Sequence, residues 1–302
     1  MAKLQVTHPH AVSNNILALR IETGKITRGT QKAYVKQAGD TIKTKLAKNK
    51  FKTDREIVYR DGKAIGILVD DGRIIRTMDT LRGPELNEAW AKQASNYSVN
   101  GITPTNVYIK SKPSESARVG VTEDSRVEFS KYDFAMEHTV YLELPDAMTI
   151  GESYQLDFKG DELEDITFNY NPESVRSEAV HISYNGFQPT DPAKVAFLST
   201  WMGPDGKGVS YKEGQKFWLT DDKGNKVFEG EIELSRGKNE AEDFISGGKN
   251  YNGTDVYLAD FSEFTKKGTY KVVVDEVGTS YDFEIGDNNW ERAFQVHMEG
   301  LY

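Results

Sequence analysis

Four groups of side chains in this 302-residue sequence have the types and spacing to do chemistry. His8-Pro-His10 puts two imidazoles two residues apart, a chelating pair on an extended segment near the chain terminus. No third ligand stands beside them, and zinc sites use three or four. Asp70-Asp71, Asp221-Asp222 and the run GDELED (160–165) offer carboxylates to calcium, which takes about six to eight oxygens. None shows the D-x-[DN]-x-[DN]-G period of a calcium loop, so solvated turns are the favoured reading, with a structural calcium left open. No other cofactor is called for. Sugar-binding surfaces stack flat aromatic rings on pyranose faces, and the candidates are Trp90, Tyr97, Trp201 and Tyr211. Trp201 leads them because it heads the glycine-rich stretch WMGPDGKGVSYKEG, and Trp218 in mid-strand is a further outward candidate. Large aromatics mostly pack, which weighs against all of these. In KTKLAKNKFKTDR (43–55), Lys48, Lys50 and Lys52 alternate on one face of a strand. They suit an anionic polysaccharide, or more simply a strand edge charged against unwanted pairing.

What is missing narrows the chemistry. The chain has no cysteine, so disulfides, thiolate zinc and cysteine nucleophiles are excluded. No G-x-x-x-x-G-K-[ST] loop and no G-x-S-x-G elbow occurs. A net charge of −9 speaks against general nucleic-acid binding. No apolar run is long enough to span a bilayer, and the first residues lack a secretory leader. The expectation is a secreted or periplasmic protein without its leader, or else a cytoplasmic one.

The elements that must hold these residues read as strands. Residues 14–24 alternate Ile16, Ala18 and Arg20 against Leu17, Leu19 and Ile21. Residues 55–79 read as three strands joined at Asp61-Gly62 and Asp71-Gly72, where glycine accepts the positive φ of a tight turn. Further strands are expected at 105–111, 116–122, 138–145, 152–158 and 166–170, with a short helix as one reading of 84–97. From Ala179 on, seven short apolar segments separated by turns give the pattern of an immunoglobulin-like sandwich. Gly224 turns one hairpin there, and Tyr270, just after Gly268, is placed to send its hydroxyl back to an upstream backbone group as a tyrosine corner. Trp290, Phe294, His297 and Leu301 then recur at helical spacing. Asp287 or Asn288 is the expected cap, Glu291 favours the first turn, and His297 is expected to pack. The fold class is all-β: two tandem β-sandwich domains, the second immunoglobulin-like, with a short C-terminal helix. The expected boundaries are 1–174, 175–286 and 287–302.

The last 124 residues carry a resemblance. The opening VHISYNGFQP, the hairpin DDKGNKVFEG and the close ADFSEFTKKGTYKVVV…SYDFEI stand in the order of the N-terminal immunoglobulin-like, cellulase-D-type module of family 9 glycoside hydrolases. The resemblance covers residues 179 to 302, about two fifths of the chain. It implies that a catalytic (α/α)6 barrel of the same polypeptide follows the sandwich, with residues 287–302 beginning its first helix. Trp290, Phe294 and Leu301 would then face the barrel. It further implies that the parent is an enzyme of the endoglucanase type while this chain is not one. The Asp-Ala-Gly-Asp segment of that family is absent, and no carboxyl pair is assignable to an inverting mechanism, which needs ~6.5–9.5 Å between the two groups. The rival readings are a tandem carbohydrate-binding module and a structural or adhesive spacer.

Overall fold

A computed structural model describes residues 3–45, 54–121, 130–206, 208–242, 247–248, 250–251 and 253–301. Strands dominate, and the chain divides into two compact units that do not follow chain order. One comprises residues 1–4, 22–86 and 111–138; the other comprises 5–21, 87–110 and 139–302. The expected boundary at 174 therefore falls inside the second unit. Among the described residues no helix is long and apolar enough to cross a membrane.

In the first unit, strands Asp40–Lys45, Arg55–Arg60, Lys63–Val69, Ile74–Thr77 and Gln31–Ala33 form one antiparallel sheet. Both Asp-Gly turns form where the sequence placed them. Asp61 and Gly62 take φ of 49° and 77° in a two-residue hairpin loop, while Asp70, Asp71 and Gly72 take 54°, 51° and 81° in the longer loop between Val69 and Ile74, all in the left-handed region. Ile57, Tyr59, Ile67 and Val121 fill a small core here. Lys48, Lys50 and Lys52 lie outside the described residues. The two strands expected at 105–111 and 116–122 are one 16-residue strand, Asn106–Val121, which runs from the second unit into the first. The polar KSKPSES between the two apolar ends reads as a loop, yet its backbone stays extended.

The second unit holds the immunoglobulin-like sandwich. Val180–His181, Val195–Leu198, Val256–Asp260 and Glu233–Arg236 make one sheet. Lys226–Glu231, Lys216–Asp221, Gly268–Val274 and Gly278–Thr279 make the other, with Phe283–Ile285 paired to the Gly268–Val274 strand. The segment KVFEGEIEL, one strand by its pattern, changes sheets at the fully buried Ile232. Phe187 packs edge-on to Phe261 and Phe283 at 5.4 and 5.8 Å between ring centroids. Val12, Ile16, Ala18 and Tyr141 belong to the same core. Residues 16–21 thus bury both of their faces apart from Arg20, and the N-terminal hairpin Val6–Ser13/Ile16–Thr23 joins the sandwich through them. At the corner, the Tyr270 hydroxyl donates to the carbonyls of Lys266 and Lys267, each at 3.1 Å.

Candidate functional site

Two of the four sugar-stacking candidates are buried. Tyr97 is 2% exposed and its hydroxyl donates to the Ala91 carbonyl at 2.7 Å. Tyr211 lies in the core, its hydroxyl bonded to the Val12 carbonyl and to Thr200, each at 2.9 Å. Neither ring is available for stacking on a sugar: each packs inside with its hydroxyl bonded to a backbone carbonyl. Trp90 is half-buried on the short helix Glu88–Ala91, against Tyr97 at 5.4 Å, with its indole N–H on the Lys159 carbonyl. Trp201 is 43% exposed and keeps an open face. Lys92 meets Asp205 at 2.8 Å, tying the Trp90 helix to the Trp201 loop. Trp218 is half-buried beneath the Lys226 ammonium, 4.6 Å from its ring. An exposed pair that sequence reasoning missed is Tyr184 and Tyr281, 5.0 Å apart, with the Arg176 guanidinium 3.8 Å over Tyr281. They are 97 positions apart in the chain, so no local pattern links them.

His8 and His10 are not at a loose end. They sit in the strand Val6–Ser13 with rings stacked at 4.7 Å. His8 Nε2 bonds to the Arg176 carbonyl at 2.9 Å and His10 Nδ1 to the His8 carbonyl at 3.1 Å, so these nitrogens donate rather than chelate. His10 is buried and its Nε2 has no hydrogen-bond partner among the described residues. Burial lowers its pKa to about 4. Nearby, Glu178 accepts from Lys110 Nζ at 2.9 Å and from the Tyr141 hydroxyl. Burial pushes the Glu178 carboxyl up, but Lys110, His10 and Tyr141 outweigh it and hold it below its ordinary value. With a single carboxylate, this network lacks the pair that glycoside hydrolysis uses.

The acidic candidates serve turns. Asp221 Oδ1 accepts the backbone N–H groups of Lys223 and Asn225 at 3.0 and 2.8 Å, and Asp165 Oδ1 accepts that of Phe158 at 2.8 Å. Asp70 and Asp71 are in left-handed turn conformations. Among the described residues no three histidine or carboxylate side chains converge as metal ligands.

The terminal helix, Asn289–Glu299, is anchored from below rather than capped. Asn288 stands at the cap position without a side-chain bond. Instead the buried Asn289 amide donates to the Phe187 and Glu284 carbonyls at 2.9 and 3.0 Å. Those two residues are already joined, since Phe187 N donates to Glu284 O and Gly286 N to Phe187 O, each at 2.9 Å. Gly186 has φ 69°, and a Cβ there would sit 2.2 Å from the Glu284 carbonyl oxygen. The glycine of Y-N-G-F is thus what lets the opening motif, the closing strand and the helix start meet. Beyond this root Arg292 pairs with Glu284 at 2.7 Å, and the apolar side of the helix is open. Trp290, Phe294 and Leu301 are 53%, 65% and 79% exposed, with Val296 also open. His297, expected to pack, is exposed too, and among the described residues it bonds to its own helix at the Ala293 carbonyl.

Comparison with known proteins bears on this same region. Residues 175–279 match the family described as the cellulase N-terminal ig-like domain. That segment is a cellulase-type immunoglobulin-like domain. Endoglucanase D of Acetivibrio thermocellus is 47% identical over 47 residues, 16% of this chain and 8% of that protein. A metagenome-derived family 9 endoglucanase structure is 22% identical over 35% of this chain and 18% of its own, with a TM-score of 0.26. A Bacteroides ovatus GH9 structure gives 22% over 38% and 16%, with a TM-score of 0.25. The cellulase-type domain accounts for the sandwich strands from Val180 to Thr279 and ends ten residues before Asn289, where the terminal helix starts.

Proposed function

We propose that this chain is the non-catalytic N-terminal region of a family 9-like glycoside hydrolase acting on a β-linked polysaccharide or oligosaccharide. Its role is to brace the (α/α)6 catalytic barrel of the same polypeptide, in a secreted or periplasmic protein. The observation that carries this reading is the terminal helix: tied to the cellulase-type domain through Asn289, yet offering Trp290, Phe294 and Leu301 to solvent on one side. A contiguous apolar face of this kind marks a surface that another domain covers. The aromatic residues Trp290 and Phe294 are the type that dominates such contacts.

The test compares residues 1–302 with the product of the whole parent gene on carboxymethyl cellulose. Release of reducing ends is expected from the longer product alone. In that product, the double change Trp290→Asp with Phe294→Asp should lower the unfolding temperature of the catalytic part. Hydrolysis by residues 1–302 themselves, or a longer product indifferent to the double change, would sink the reading.

A further inference from the structure

A cleft of about 640 Å3 opens within the second unit, among the 13–16 hairpin turn, the start of the Asn106–Val121 strand, the end of the Ser130–Glu143 strand, the 208–215 segment and the turn at 276–277. Its wall is a set of amides and carboxylates held in fixed positions. Glu143 Oε2 accepts from Asn106 Nδ2 at 2.9 Å and from the Tyr108 hydroxyl at 3.3 Å, while Oε1 has no hydrogen bond among the described residues. Across from them Asn14 Nδ2 holds Glu276 Oε2 at 3.1 Å. Gln215 Nε2 donates to the Asp275 carbonyl at 2.5 Å, which fixes the amide and leaves its oxygen to accept. Lys212 lines the cleft without an ion pair among the described residues.

Glu276 is the second observation. Five non-glycine residues described have positive φ, and four of them are Asp or Asn, which tolerate the left-handed region. Glu276, at φ 59°, is the exception. Its strained peptide is held by the Tyr170 hydroxyl on the Glu276 carbonyl at 2.5 Å and by the Val277 N to Val274 O bond at 3.1 Å. Glu276 is residue i+2 of the Val274–Val277 turn, a position where glycine ordinarily supplies positive φ, and a glutamate there places its carboxylate on the cleft wall.

The wall selects its ligand by chemistry. Two carboxylates against one ammonium repel phosphates and other anions. The polar lining offers little to an apolar ligand. Carboxylate and amide pairs at fixed spacing suit neighbouring hydroxyl groups, which donate to the first and exchange bonds with the second. The volume lies in the range of small-molecule sites, about 300–1,000 Å3. We infer that this cleft binds a neutral oligosaccharide, with Glu143, Asn106, Glu276 and Gln215 taking the sugar hydroxyls. The choice of a β-linked glucan rests on the function proposed above; the site itself does not.

The experiment is calorimetric titration of residues 1–302 with a β-1,4-linked glucose tetramer and, separately, a galacturonate tetramer. Saturable heat is expected from the glucose tetramer only. Asn106→Ala and Glu143→Gln should each weaken binding about tenfold, the effect of losing a hydrogen bond to or from a charged group. Glu276→Gly should weaken it similarly while leaving the unfolding temperature equal or higher, because glycine accepts φ 59° without strain. Should a variant misfold, the side-chain amide NMR signals of Asn14, Asn106 and Gln215 in the unaltered protein report directly, and they should shift during titration. No heat with either tetramer, equal affinity for the galacturonate, or amide signals that stay still would each overturn the assignment. Trp290→Asp should bind the glucose tetramer normally, so failure of the cleft and failure of the helix-docking reading are told apart.

Discussion

At the scale of single residues, burial has set the chemistry. His10 is kept neutral in the folded chain, with its pKa lowered to about 4 by desolvation against an ordinary 6.5. Between those values the unfolded chain binds a proton that the folded chain refuses. Its contribution is therefore complete above about pH 6.5 and lost as pH falls towards 4, by about 3 kcal/mol in full. Chemical unfolding of the parent chain and of His10→Gln at pH 7.5 and 4.5 isolates this effect, because all other titrating groups are shared. The parent should lose more stability than the variant on acidification; parallel losses would refute it. Tyr270 makes a different point. Its place after Gly268 announced a corner in the sequence, and the hydroxyl does reach the Lys266 and Lys267 carbonyls. Tyr270→Phe should cost about 0.5–1.5 kcal/mol in a denaturant melt, with no change in fold by circular dichroism.

At the scale of elements, hairpins and helix spacing were legible, while strand ends and exposure were not. Asp-Gly turns depend on the backbone freedom of two adjacent residues, so the sequence displays them directly. The join at Gly186 depends on residues about a hundred positions apart, Phe187 with Glu284 and Asn289, and local pattern is blind to it. Gly186→Ala should destabilise the cellulase-type domain by about 2 kcal/mol or more, since it adds left-handed strain and a 2.2 Å contact with backbone. Asn289→Ala should act more locally. The helix signal at 222 nm should weaken and amide exchange in 289–299 quicken, while the sandwich melts close to its former midpoint. If exchange in the helix were unchanged, the anchoring role of Asn289 would be wrong.

At the scale of the whole molecule, the free helix face governs behaviour. A chain carrying Trp290, Phe294 and Leu301 in the open should self-associate as its concentration rises. Sedimentation velocity should show this for residues 1–302 and should return a single slow species after Trp290→Asp with Phe294→Asp. Residues 1–302 staying monomeric throughout would remove the main support for a docking surface. The division into units belongs to this scale as well. Residues 5–21 share a core with the immunoglobulin-like domain although they stand more than 150 positions before it. The strands Asn106–Val121 and Ser130–Glu143 each have residues in both units, so those divisions fall inside strands, where composition does not mark a boundary.

The sequence by itself determined the all-β class, the paired turns, the corner at Tyr270, the apolar period of the last helix and the resemblance of residues 179–302 to cellulase-type domains. Each of these is written in neighbouring residues, through φ preference, the alternation of strands or the 3.6-residue period of a helix. Only the tertiary structure decided which aromatic rings stay wet, which histidine is sealed off, and which distant amides and carboxylates meet around one cleft. Those outcomes depend on what another part of the chain covers. Tyr211 is buried with its hydroxyl donating to the Val12 carbonyl and bonded to the Thr200 hydroxyl, and Trp290 is open because nothing among the described residues lies over it.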